Sequence, residues 1–178
     1  MKKNILAIFL ILLSMKAMSQ ENMMTLSGGY SFANIKDTGM KGTGWRINGL
    51  FEMNPMGGNI AHGLSVGYIN VSGTESSVTS TIGSIPIYYA PKVMFGNEKF
   101  KGFIKGALGM QFSSLKREGL VSFNDNDFGF YGGGGAGFMI FLKENVFING
   151  EYEIAWLSNS FYKDGWMNTV SGGIGFKF

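Results

Sequence analysis

Apolar and polar residues alternate with a period of two along most of this chain, and the pattern breaks off and resumes to give eight segments. That period places successive side chains on opposite faces of an extended strand. The first segment, near 23–33, sets Met24, Leu26, Gly28, Tyr30 and Phe32 on one face. The second, near 44–54, sets Trp45, Ile47, Gly49, Phe51 and Met53 against Arg46, Asn48 and Glu52. In the third, Leu64, Val66 and Tyr68 oppose Gly63, Ser65 and Gly67. The fourth, about 80–95, puts Ile85, Ile87, Tyr89, Val93 and Phe95 opposite Ser84, Tyr88 and Lys92.

The second half continues in the same way. Ile104, Gly106, Leu108, Met110 and Phe112 oppose Lys105 and Gln111. The sixth segment, near 127–142, opposes Phe128, Phe130, Ala136, Phe138, Ile140 and Leu142 to a mostly glycine face. The last two set Val146, Ile148, Tyr152, Ile154 and Trp156 against Asn149, Glu151 and Glu153, and Val170, Ile174, Phe176 and Phe178 against Thr169, Ser171 and Lys177. Segments of roughly ten residues are the length a membrane-crossing strand needs.

Volume decides which face is inside. An eight-stranded barrel encloses just enough space for its inward side chains. The apolar faces carry too many aromatic rings to fit there, whereas the Gly-, Ser- and Asn-rich faces fit. The expected fold is therefore all-β: an eight-stranded antiparallel up-and-down transmembrane barrel with its apolar face turned to lipid. With the N-terminus in the periplasm, Asn54–Asn59, Gly96–Phe100 and Lys143–Asn145 become short inner turns, and the longer, more polar stretches near 34–43, 71–79, 113–126 and 157–165 become outer loops. Tyr30, Phe32, Trp45, Tyr68, Phe112, Phe128, Trp156 and Trp166 then fall at one height and predict an aromatic girdle.

The start of the chain reads as an export signal. Lys2 and Lys3 precede an apolar run from Ile5 to Met15, and Ala17 and Ser19 suit cleavage after Ser19. The run is too short to cross a bilayer as a helix. The expected division is a signal peptide over 1–19 and a barrel domain over 20–178, with the mature protein in the outer membrane of a Gram-negative bacterium. This changes the meaning of the charge. The whole chain has 15 basic and 12 acidic residues. The leader holds Lys2, Lys3 and Lys16 and no acid, so the mature part is formally neutral and gives no case for nucleic-acid binding. Cysteine is absent, which excludes disulfides and thiolate metal sites.

The end of the chain is the most specific motif. Gly172, Ile174, Phe176 and Phe178, in a run closing GGIGFKF, resemble the C-terminal signature of the small outer-membrane barrel family that includes the OmpA transmembrane domain, OmpX and the opacity-type proteins. The stretch from Ser84 to Tyr89 is also similar to that family's fourth strand. The resemblance runs from about Met23 to Phe178. It implies that the C-terminal residues are read by the barrel-assembly machinery and that outer-membrane lipids surround the wall. No soluble domain follows, so a wall-tethering role is not implied.

The remaining motifs are weighed by chemistry. Gly132 to Gly137 satisfies G-x-G-x-x-G, but it lies within a strand and no helix follows, so close strand approach or room for long inward side chains explains it better than a nucleotide. His62 is the only histidine, and the register sends it outward while Ser65 points inward, so no nucleophilic triad is expected. Asn124-Asp-Asn-Asp127 lacks the glycine and distal glutamate of a calcium loop, and a solvated loop is expected. No cofactor is implied.

The chemistry that stands out is inward charge: Arg46, Glu52, Lys92, Lys101, Lys105, Glu151, Glu153 and Lys177. Such groups must be paired or hydrated. They serve equally as a salt-bridge plug or as a polar track for small solutes. In the outer stretch near 113–126, Leu115, Lys116, Arg117, Leu120, Val121 and Phe123 either meet a surface ligand or extend two strands as a hairpin. The functional expectation is a non-catalytic envelope barrel with a structural or surface-interaction role. The alternatives are a narrow passive channel and a surface adhesin.

Overall fold

The computed structural model describes residues 21–36, 41–54, 58–75, 78–118 and 123–178. The expected leader, including its cleavage site, lies outside them. Eight strands follow in order: β1 Glu21–Ile35, β2 Lys41–Asn54, β3 Ile60–Glu75, β4 Val78–Gly96, β5 Phe100–Glu118, β6 Phe123–Lys143, β7 Val146–Leu157 and β8 Tyr162–Lys177. Each pairs antiparallel with its chain neighbour, and β8 closes onto β1. Closure pairs the backbone polar groups internally, which is the condition for a sheet to stand in hydrocarbon.

The alternating segments are the strands, and their apolar faces form the outer wall. Leu26, Ile47, Leu64, Ile104, Leu108 and Val170 are among the many large apolar side chains left exposed there. A wall of this kind is at home only in lipid.

At the outer ends strand runs into every stretch expected as a loop. It includes 34–35 and 41–43, 71–75 and 78–79, 113–118 and 123–126, and 157 and 162–165. Near 113–126 this is the hairpin extension that was one of the two expected readings. The longest strands, β4, β5 and β6, have 19, 19 and 21 residues. A tilted crossing takes only about 9–11. The surplus rises above the apolar band, and there the pattern inverts. On β3 the outward row runs Leu64, Val66, Tyr68 and then Asn70, Ser72, Thr74, while Ile69 and Val71 turn inward. On β4, Ile82 is inward below outward Thr79 and Thr81. Water replaces lipid outside, so the apolar side chains take the inside.

The interior is also less polar than its Gly-, Ser- and Asn-rich pattern suggests. It is filled in three layers. The outer layer packs Ile35, Ile69, Val71, Ile82, Leu115 and Leu157. The layer beside the short turns packs Met23, Met94, Phe103, Met139 and Phe147. Small residues make the room. A Cβ at Gly137 would lie 2.6 Å from the Phe103 ring, and one at Gly109 would lie 2.6 Å from the Tyr88 Cβ. The inward charges occupy the layer between.

Candidate functional site

The central layer is built from alternate residues of β2, β4, β5 and β7. Arg46 comes from β2, Tyr88 from β4, Lys105 from β5, and Glu151 and Glu153 from β7. Tyr131 enters from β6, whose inward face is otherwise glycine at 133, 135 and 137. Gly135 sits opposite both Lys105 and Glu153 in the ladder, so the glycine run leaves the space these long side chains fill.

Glu153 is the hub. Its Oε1 accepts from Arg46 Nη1 at 2.6 Å and from the Tyr131 hydroxyl. Its Oε2 accepts from Lys105 Nζ at 2.8 Å. Arg46 also donates to the Tyr88 hydroxyl at 2.7 Å and to Tyr131 at 3.1 Å. Lys105 forms a second ion pair with Glu151. The Tyr88 and Tyr131 rings stack with centroids 4.9 Å apart. A separate pair, Lys92 with Glu52 at 2.7 Å, lies against the Phe103 ring. Three cations meet three carboxylates, and Arg46 and Glu153 are only 4% and 3% exposed. Every charge is answered by another, as low-dielectric surroundings demand.

Of the eight expected lumen charges, Arg46, Lys105, Glu151 and Glu153 are thus gathered in one cluster, and Lys92 and Glu52 form a second pair beside the lower apolar layer. Lys101 and Lys177 also face inward, apart from the others at the mouth beside the short turns, Lys177 paired with Glu21 at 2.7 Å and Lys101 over the Phe141 ring. A period of two tells the face and not the height. Tyr131, and the role of Tyr88, were not legible among the charges. The nearest signal was an aromatic on the row of the glycines, opposite in facing to Phe128 and Phe130.

Elsewhere, His62 and Ser65 lie on opposite faces. His62 Nδ1 shares a 2.5 Å hydrogen bond with the Tyr89 hydroxyl on the outer wall, and the Ser65 hydroxyl donates to Asn48 at 2.8 Å inside. The 124–127 cluster, expected in a loop, is strand: it forms the rising end of β6. There the Asp127 carboxylate accepts from the Ser160 backbone N–H at 2.8 Å and from its hydroxyl at 2.9 Å. Leu115 is packed inside, Lys116 pairs with Glu118 at 2.5 Å, and Leu120 and Val121 lie outside the described residues.

Tyr30, Phe32, Trp45, Tyr68, Phe112, Phe128, Trp156 and Trp166 all face outward. Several touch as neighbours, Trp45 with Tyr68 at 5.3 Å and Phe112 with Phe128 at 5.0 Å between ring centroids. They mark the level at which the outward rows turn polar. Ile174, Phe176 and Phe178 form an exposed outward row, with Gly172 above them on the same face.

A family model, that of the outer membrane protein beta-barrel domain, matches residues 5–178. The chain belongs to that family. Solved structures share the fold. Neisserial surface protein A aligns with a TM-score of 0.66 at 13% identity, over 89% of this chain and 97% of that one. A major outer membrane protein from Thermus thermophilus aligns at 0.59 and 10%, over 88% and 99%. Ail, the attachment invasion locus protein of Yersinia pestis, aligns at 0.56 and 19%, over 88% and 99%. At such identities the likeness is one of fold alone. No curated protein matches by sequence. In this outer-membrane barrel, then, the apolar wall meets lipid, and the paired charges stand inside the stretch of barrel that the apolar wall surrounds.

Proposed function

We propose that this barrel is a non-catalytic membrane stake that carries a rigid β-platform above the cell surface for interaction with a macromolecule. The observation that carries the reading is the rise of β3 to β6 past the girdle as one sheet. The β4–β5 ladder continues to Thr79↔Glu118 and the β5–β6 ladder to Arg117↔Phe123. By contrast, β6 pairs with β7 only from Tyr131. From Phe123 to Gly129, β6 is therefore an open edge among the described residues. Ser158 and Ser160 brace it near its base, and Asp125 takes up the Asn126 N–H at 2.8 Å. Such guarding is how an exposed edge avoids indiscriminate pairing while remaining a template for a chosen strand.

The same reading covers the lumen and the address. Paired charges between two apolar layers act as a plug that stiffens the stake, which weighs against the channel alternative. The leader is removed after Ser19, and the Gly172–Phe178 row is read by the assembly machinery during insertion.

Shortening both hairpins, by joining Asn70 to Gly83 and Ser114 to Asn126 through tight turns, tests the platform. The shortened protein should still migrate differently before and after boiling. Cells displaying it should lose the aggregation or surface attachment conferred by the full-length protein. Attachment that survives the trimming would overturn the platform reading.

A further inference from the structure

Of the eight charges expected to face inward, Lys101 alone has no carboxylate partner among the described residues. It is half-buried at the periplasmic mouth, its Nζ 5.7 Å from the centroid of the Phe141 ring. Phe141 packs on Phe147 at 5.2 Å and so closes the floor beneath it. The β4–β5 and β6–β7 turns stand on either side, tied by a hydrogen bond from the Phe141 N–H to the Lys99 carbonyl at 2.9 Å. Between them opens a cavity of about 520 Å³, with Lys99, Lys101, Lys143 and Lys177 on its walls beside Glu98 and Glu144. Glu21 answers Lys177. That leaves three ammonium groups facing two carboxylates, with no ion pair between them among the described residues. Beside central charges that are all paired, this surplus points to an anion from outside the chain.

The wall of the cavity says which kind of anion. Leu142 lines it and is 60% exposed. Leu142 stands on the same outward row as Ile140 and Phe138, and Phe138 stacks on Phe100 at 6.2 Å. The lysines therefore end where the lipid-facing wall begins. Ammonium groups on flexible stems bind phosphate as point charges, and the adjoining apolar row accepts acyl chain.

We propose that this mouth binds a net-anionic glycerophospholipid of the inner leaflet. Its phosphate lies among Lys99, Lys101 and Lys143, and its chains lie along Leu142, Ile140 and Phe138. A free phosphate would gain nothing from that row, and a zwitterionic headgroup would gain less from the cationic surplus. The site rests on the orientation that puts the short turns in the periplasm, and it is independent of the outer platform.

The test is native mass spectrometry of the full-length mature barrel in detergent, titrated with phosphatidylglycerol or phosphatidylethanolamine of matched chains. One phosphatidylglycerol should be retained per barrel, with phosphatidylethanolamine held less tightly. Lys101→Gln should weaken retention about tenfold or more, the loss of one charge-assisted contact. Lys163→Gln, on the opposite rim, should leave it unchanged. Boiled and unboiled gels show whether each variant is folded. If Lys101→Gln does not fold, the Lys99→Gln/Lys143→Gln pair on the exposed turns carries the same expectation. Equal retention of both lipids, or retention unaffected in folded variants, would overturn the proposal. So would full competition by glycerol phosphate at the lipid's own concentration, or tighter Lys101-dependent binding of a peptidoglycan fragment.

Discussion

At the scale of single residues, Glu153 holds the interior together because two cations depend on it. Removing its charge strands Arg46 and half of the partnership of Lys105 in a place that water does not reach. Breaking a buried pair on one side costs about 3–5 kcal/mol. Glu153→Gln should lower the unfolding free energy of the detergent-folded barrel by that order, measured by urea titration of the gel shift. Tyr131→Phe removes one neutral hydroxyl, which donates to Glu153 and accepts from Arg46, and should cost about 1–3 kcal/mol. If the two variants proved equal, Glu153 would not be the hub. Asp127 offers a second test, above the girdle and outside the membrane. The Ser160 backbone N–H, and then the Ser160 hydroxyl, hold its carboxyl below the ordinary value. A depressed folded pKa means that the clamp is complete above the ordinary carboxylate range and is lost as pH falls through the lowered value. Protection of the Ser160 amide, corrected for intrinsic exchange, should therefore fall on acidification. In Asp127→Ala it should be low and independent of pH. Protection that stayed high in that variant would show that some other group braces the edge.

At the scale of the strands, height along a strand decides what a period of two means. Val66 and Asn70 share the outward row of β3 four residues apart, Val66 within the apolar band and Asn70 beyond Tyr68 and the girdle. Val66→Lys should impair assembly by about 2–4 kcal/mol, and Asn70→Lys by about 0–1 kcal/mol. The measurement is the folded fraction recovered in bilayers, and equal yields would place the boundary elsewhere. The same pair shows what could be read from the sequence. Between the two boundaries the alternation has one sense, apolar outward, and strand number, order and facing are all legible from it. Past Tyr68 the sense reverses, because Ile69 and Val71 must hide from water while Asn70 and Ser72 need not. Read without a height, that reversal looks like the end of a strand, which is why the rising ends of β3 and β4 pass for a loop and those of β5 and β6 leave a hairpin as only one of two readings. The charges behave in the same way. Arg46 and Glu153 were legible as inward groups. Their meeting, and the separation of Lys101 and Lys177 to the mouth, depend on the stagger of strands around the barrel, which no single strand's pattern contains. Phe103 and Phe147 were hidden for a third reason, since inward aromatics fit only where glycines opposite them on the neighbouring strand, Gly137 and Gly175, yield space.

At the scale of the whole barrel, three layers lie in series across the lumen: aliphatic above, ionic in the middle, aromatic and thioether below. An ion on its way through would have to part Lys105 from two carboxylates and also pass apolar packing on each side. Each barrier is sufficient alone, since separating buried partners and hydrating a dry cluster are each expensive. Single-channel recording of the refolded mature barrel in a planar bilayer should therefore show no steps. Breaching one layer should not change this: Glu153→Gln leaves both apolar plugs in place, and Phe103→Ala leaves Arg46, Lys105 and their partners. Steady conductance in the unaltered protein, shifting when Arg46 or Glu151 is neutralised, would make the ionic layer a path and reverse the reading. Silence from a barrel that shows its heat-dependent gel shift would mean that nothing useful crosses this wall. Function would then have to reside at the two ends, where the outer sheet offers an open edge and the periplasmic mouth keeps a lysine without a carboxylate partner.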